Sequence, residues 1–233
     1  METKQPPEGA KLIPLNFNDD RQVDLLAQQR DAAHYGTSSI PKWKFHAQRG
    51  ERTMFWIAIP ATGELGQRQT TSRQGLDIVG DDYLAVGHIA LDKMDVPMPE
   101  LIEPDDSVTK PDGSVLHVAT LMVMPEFNRF RLGAFAVRQL EVLARQAPHG
   151  SEKCRMLTLT TVSPRHVKGG LEGPEGMDVF PKLGVPLPER SNVPWFEQLG
   201  YVQYKEALRY RGVAPDGSLH GLWCTYMRKE IQV

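Results

Sequence analysis

The chain has 233 residues, with 27 Lys and Arg against 29 Asp and Glu, a formal net charge of -2, and 40% apolar residues. That balance supports one sizeable core and lacks the broad basic face of a nucleic-acid binder. No apolar run approaches a membrane span and the first residues lack the apolar core of a signal peptide, so a cytoplasmic location is expected, with the nucleus left open.

Residues 1–10, with Pro6, Pro7 and Gly9, read as a flexible tail, and 11–233 as a single domain. Lys11–Phe17 predicts a first strand. Asp19 or Asp20 then caps a helix whose apolar stripe is Val23, Leu26 and Ala27. A second helix is expected over Ser38–Gln48, with Pro41 in its first turn. Thr53–Ile59 and Tyr83–Leu91 are β-rich runs, and the polar stretch Gln67–Gly75 between them reads as a long loop. Residues 95–113, with four prolines and many carboxylates, read as an insertion.

Val115–Val123 predicts a strongly apolar strand. The helix that follows runs from Leu132 to Arg145, with Leu132, Phe135, Ala136, Leu140 and Leu143 on one face. Arg155–Val162 is the next strand, and strand–helix–strand order implies a parallel pair with a right-handed crossover. Ser163–Arg190 is rich in Gly and Pro without periodicity, a second insertion. A short helix, Val193–Leu199, ends at Gly200, and Tyr201–Arg211 and Leu219–Met227 form a terminal hairpin around Ala214–Gly217. Cys154 and Cys224 sit in strand-like runs and read as buried free thiols. The seven histidines lack the paired spacing of a zinc site, so no metal is expected.

The segment from Leu121 to Ala136 carries the most chemistry. A strand ends at Val123, a turn follows, and a helix opens at the small residues Gly133 and Ala134. Such a turn aims backbone N–H groups at one spot, at the positive end of a helix dipole, which suits a pyrophosphate; a plain strand-to-helix connection has the same outline.

Val123, Pro125, Glu126, Phe127 and Gly133 resemble the cofactor loop of the GNAT superfamily, Val-x-Pro-Glu-(Phe/Tyr)-(Gln/Arg)-x-x-Gly-x-(Gly/Ala). Asn128 replaces the usual Gln or Arg, and Arg131 replaces the first Gly, where a helical backbone angle is expected to keep the N–H available. Trp195–Tyr201 is similar to the family's Phe-Tyr-Glu-x-Leu-Gly-Phe segment, and Val86–Leu91 to its third strand. The insertions and terminal hairpin look most like fungal members.

The resemblance implies an α/β (α+β) fold, with a mixed central sheet of about seven strands, flanking helices and the C-terminal β-hairpin. It implies acetyl-CoA as acyl donor, held by Leu121, Met122, Val123, Asn128, Arg129, Phe130, Arg131, Leu132, Gly133, Ala134 and Asn192. Asn192 reads equally as a helix cap. The backbone of Val123 is the expected oxyanion contact. Some members place a base eleven residues before the position of Asn128, which lands on His117; a partly buried structural histidine is the other reading. The family's acidic tyrosine is replaced by Phe196, so no general acid is assigned.

The acceptor pocket is expected at the first two helices, with His34, Tyr35 and Trp43, roofed by the acidic insertion (Glu100, Glu103, Asp105, Asp106). The leading expectation is an N-acetyltransferase acting on the amine of a small molecule or amino acid. A protein lysine or N-terminal acetyltransferase, and a non-catalytic module binding acyl-CoA or a protein partner, are the alternatives. A monomer or homodimer that contacts neither nucleic acid nor membrane completes the picture.

Overall fold

The computed structural model describes residues 5–33, 36–63, 76–80, 82–96 and 104–231. Its strands are β1 (Lys11–Pro14), β2 (Arg52–Pro60), β3 (Ile78–Val79), β4 (Tyr83–Asp92), β5 (Val115–Val123), β6 (Met156–Val162), β7 (Val202–Val213) and β8 (Leu219–Glu230). The helices are α1 (Asp20–Ala32), α2 (Ile40–Gln48), α3 (Leu132–Leu143), α4 (Val179–Lys182) and α5 (Val193–Gln198), with 3-10 turns at Pro125–Phe130 and Pro164–His166.

Local chemistry accounts for the boundaries. The Asp19 carboxylate accepts the Arg21 N–H and starts α1, and Pro41 lies in the first turn of α2. Gly200, at φ 91°, takes the left-handed turn that ends α5. The long loop expected at Gln67–Gly75 lies outside the described residues.

The strands form one eight-stranded sheet in the order β1-β2-β4-β5-β6-β8-β7, with two-residue β3 paired to β4 as the strand beyond the expected seven or so. All neighbours are antiparallel except β5 and β6, the parallel pair that the intervening helix predicts. Strand alternation divides the core. Phe55, Ile57, Leu116, Val118, Leu157 and Leu159 face α3, whose buried stripe is Leu132, Ala136, Val137 and Leu140. Met54, Trp56, Ala58 and Ala90 face the opposite way, against Leu25 and Leu26 of α1 and Trp43 of α2.

Both insertions are held against the C-terminal hairpin. In the first, Asp95 takes two hydrogen bonds from Arg209, Asp105 bonds Lys205 at 2.5 Å, and Val108 is buried beside Cys224 and Tyr226. In the second, the Ser163 hydroxyl donates to Glu206 and the Arg165 guanidinium lies 4.1 Å from the Trp223 ring centre. His166 is fully buried; its Nδ1–H donates to the Gly176 carbonyl at 2.7 Å while Nε2 accepts the Trp223 N–H at 2.9 Å. The 163–190 segment is thus a tethered arm. Among the described residues, no helix is long and apolar enough to cross a membrane.

One contact controls the middle of the sheet. A Cβ on Gly87 would overlap the Met122 carbonyl oxygen and lie 2.9 Å from Val123 Cα. Gly87→Ala is therefore expected to destabilise by about 3 kcal/mol. Urea unfolding should show a lowered midpoint with an unchanged slope.

Candidate active site

The parallel pairing of β5 with β6 stops early. Partners run from Val115 with Met156 to Val118 with Leu159 and no further. Beyond that point β5 stays with β4, through Gly87 opposite Val123, and β6 stays with β8, through Val162 opposite Cys224. The two strands part like the arms of a V. The cause is a bulge in β5, where the register with β4 shifts and Thr120 adopts φ 51°. An extra residue in one strand bends it away from its neighbour.

Parting leaves backbone groups open. Met124 donates its N–H to Val86 across the β4 side at 2.9 Å. Alternation along the strand then turns the N–H groups of Leu121 and Val123 toward the gap, and that of Met122 toward β4. The Leu121 and Val123 side chains are half-buried against the core and Met122 is buried.

The chain next makes its 3-10 turn and enters α3. Arg131, expected to be helical, is left-handed at φ 57° and ψ 19°. This is the conformation glycine adopts freely, so the family pattern and this backbone agree while the side chain departs. The reversal turns the chain so that α3 starts at once. Its Phe135 N–H is taken by the Arg131 carbonyl at 3.0 Å; those of Leu132, Gly133 and Ala134 have no backbone acceptor among the described residues. Such a helix end carries partial positive charge, and the exposed Arg129 and Arg131 add to it. Asn128 is also exposed and Phe130 half-buried, 6.5 Å ring to ring from Phe127.

Helix α5 closes the cleft from the α3 side. A Cβ on Gly133 would come within 3.4 Å of the Trp195 indole, so Gly133 lets that ring lie against the start of α3. Phe196 is 7% exposed and meets Trp195 and Tyr201 edge to face. Asn192 is exposed at the N-cap position but makes no side-chain cap bond; the Ser191 hydroxyl accepts the Val193 N–H instead.

On the other face, a cavity of about 80 Å³ lies where β5 leaves β6, lined by Arg52, Asp92, Asp95, His117, Thr120, Thr160, Arg209 and Tyr210, among others. Sheet register sets much of this wall, since Arg52 is opposite Asp92, Asp92 opposite His117, and His117 opposite Thr158. Arg52 donates to both Asp92 oxygens, at 2.6 and 2.9 Å. Arg52 and Asp92 belong to no motif in the sequence; a charged residue at the end of an apolar strand is the one signal they carry.

The expected base reads differently in place. His117 Nδ1 lies 2.9 Å from the Thr158 hydroxyl, and burial, with Arg209 and Arg52 nearby, pushes its pKa down to about 3. The ring is uncharged, as a base must be, but far too weak to hold an ammonium proton near neutrality. The acidic roof also differs. Asp95 and Asp105 are already bound to Arg209 and Lys205, Asp106 is exposed, and Glu100 and Glu103 lie outside the described residues. His34 and Tyr35 are outside them too. Trp43 does not line an open pocket: it is 1% exposed, with Arg30 and Arg52 stacked 4.5 and 4.9 Å from its ring centre. Among the described residues, no group of three His, Cys, Asp or Glu is placed to hold a metal ion.

Solved structures match nearly the whole chain. GphF, a GNAT-like decarboxylase in complex with isobutyryl-CoA, gives a TM-score of 0.55 at 12% identity, over 95% of this chain and 100% of that one. An aminoglycoside 6'-N-acetyltransferase complexed with coenzyme A gives 0.53 at 16% identity, over 96% and 98%. NAA60 of Arabidopsis thaliana, in complex with a bisubstrate analogue, gives 0.52 at 9% identity, over 96% and 98%. At these identities the likeness is one of fold, and the fold is that of the GNAT proteins. No protein-family model matches the sequence, and the search of curated proteins gave no relative.

Two measurements check this geometry. Arg131→Gly should raise stability by about 1 kcal/mol, because it relieves a left-handed arginine, as a shifted urea midpoint would show. The second concerns pH. Burial pushes His117 and His88 each down to about 3 from the usual 6.5, so between those values the unfolded chain holds protons the folded one does not. Stability must therefore fall as pH drops from 6.5 toward 3, by up to about 1.4 kcal/mol per pH unit for each histidine. His117→Asn should flatten that slope by one proton in unfolding curves taken across this range.

Proposed function

We propose that the chain is an acetyl-CoA-dependent N-acetyltransferase acting on the amine of a small molecule or amino acid. The observation that carries this reading is the opened edge of β5, with the Val123 N–H turned into a cleft that continues into the uncommitted amides of α3. A diphosphate suits the Leu132, Gly133 and Ala134 amides, with Asn128, Arg129, Phe130 and Arg131 around it. The open backbone at Leu121–Val123 suits an amide-bearing arm running along the strand, and Asn192 and Trp195 stand beside its path. Acetyl-CoA supplies an activated acyl group as a thioester.

In this reading Val123 N–H polarises the thioester carbonyl, a backbone donor held in place before the reaction begins. The amine approaches from the α1–α2 face, on the side of the cavity that holds His117. The weakness of that imidazole points to solvent as the destination of the amine's proton, with His117 a neutral wall. Phe196 offers no proton, and a thiolate leaves without one. The small cavity, with Asp95 and Val96 of the first insertion in its wall, favours a compact acceptor over a protein. A fold shared with a decarboxylase makes the activity itself the thing to measure.

Calorimetric titration with acetyl-CoA should show binding that weakens with added salt, as phosphate contacts do. Gly133→Val, which drives a side chain into Trp195, should weaken it by about tenfold or more. Thiol release should then appear with some member of a panel of amines, amino acids and peptides. Absence of acetyl-CoA binding would end the proposal. The pH profile of His117→Asn should follow that of the parent; a profile that loses one ionisation would restore His117 as the base.

A further inference from the structure

The partners of His117 fix its tautomer. The Thr158 hydroxyl lies 2.5 Å from the Val108 carbonyl, which can only accept, so the one Thr158 proton goes there. Thr158 therefore accepts at its other contact, and His117 Nδ1 carries the hydrogen that reaches it over 2.9 Å. With the ring uncharged, Nε2 holds a bare lone pair. No protein donor meets that nitrogen among the described residues, and it is not one of the sealed, unpartnered atoms, so it keeps accessible surface. His117 lines the cavity of about 80 Å³ where β5 leaves β6. Two hydroxyls line it as well. Thr160 Oγ1 and Tyr210 Oη are 3.4 Å apart, wider than the roughly 2.5–3.0 Å of a good O–H···O bond, and both residues are half-buried. Thr160 follows Thr158 by two residues on β6 and so shares its face of the sheet.

We propose that this cavity holds the amino group of the acceptor by its N–H bonds, with His117 Nε2 as the acceptor atom that positions it. In naming the occupant the acceptor, the inference rests on the transferase reading. An imidazole nitrogen in this state cannot donate, so it selects a donor; a carbonyl or carboxylate oxygen would meet it lone pair to lone pair. The two hydroxyls both donate and accept, so they admit a donor too, and at their spacing both can reach one nitrogen at about 2.9 Å. The His117 pKa, pushed down to about 3 by burial, lets the ring hold an N–H without removing its proton. The carboxylates of the wall, Asp92 and Asp95, are bound to Arg52 and Arg209, so hydrogen bonds rather than a free charge make the selection. The space equals nearly three waters at about 30 Å³ each, room for an amino group and the carbon that bears it. The class is therefore a primary amine on an unbranched carbon. Position agrees, since β5 and β6 pair no further than Val118 with Leu159, and the break that frees the Val123 N–H begins beside Thr160.

Imidazole nitrogen spectra of the full chain without acetyl-CoA provide the test. Near neutral pH they should show His117 with Nδ1 protonated and Nε2 bare. Propylamine should then shift the Nε2 signal and bind about tenfold more tightly than tetramethylammonium, a cation of similar bulk with no N–H. In His117→Gln the longer side chain brings an amide oxygen near the place of Nε2 and should keep the preference. His117→Asn, one carbon shorter, should lose it. A protonated Nε2, an unmoved Nε2 signal at millimolar propylamine, or equal binding of tetramethylammonium would overturn the proposal, as would a preference that His117→Asn keeps or His117→Gln loses. Acetyl-CoA calorimetry separates the two ideas. Loss of acetyl-CoA binding with the propylamine preference intact removes the transferase reading alone, and the reverse removes the amine site alone.

Discussion

A strand that pairs at one end and stands free at the other needs something to bend it, and here the bend is the bulge at Thr120. A threonine at φ 51° is strained by about 1–2 kcal/mol, and the sheet holds it there because β5 is bonded to β4 on both sides of the bulge. Gly87 is the complement, since only a residue without a Cβ lets β4 approach the displaced Met122 and Val123. Backbone amides are strong donors that a buried site rarely leaves unpaired. Opening a strand edge inside the molecule therefore creates an affinity for any group that can run beside it.

The same break separates two kinds of chemistry by the face of the sheet. Toward α3 and α5 the cleft offers backbone donors and a positive helix end, with Trp195 and Phe196 as an apolar side wall. Toward α1 and α2 it offers a polar cavity whose charges are paired within the protein. A buried ion pair is weak evidence of stability, because desolvation offsets much of the attraction. Arg52 and Asp92 each hold the other in a fixed geometry, and removing either would strand a charge at the centre of the sheet.

Much of this was legible in the residues. The periodicity over Leu132–Leu143, the apolar run Val115–Val123 and the turn at Ala214–Gly217 gave the helix, the strand and the hairpin that the structure has, because each is decided by neighbours in sequence. The glycine pattern of the cofactor loop located the left-handed position at Arg131, although an arginine stands there and a helical angle was expected. What the sequence hid was long-range. Asp105 reads as a free carboxylate of the acidic roof because its partner, Lys205, lies 100 residues away. His117 leaves its two readings, base and buried structural histidine, open in the sequence, because nothing local tells how deeply β5 lies, and burial is what lowers its proton affinity.

Those distant pairings bear on selectivity. Free carboxylates attract cations at long range and with loose geometry. Asp95 and Asp105 are instead paired to the hairpin. The Thr158 hydroxyl, donating to the Val108 carbonyl at 2.5 Å while it meets His117, ties the first insertion to the floor of the cavity. A pocket whose charges are already paired discriminates by shape, since a misplaced group there would lose its water and gain no partner. The fold thus places an open helix end on the α3 side of the break and a cavity of paired charges on the α1–α2 side.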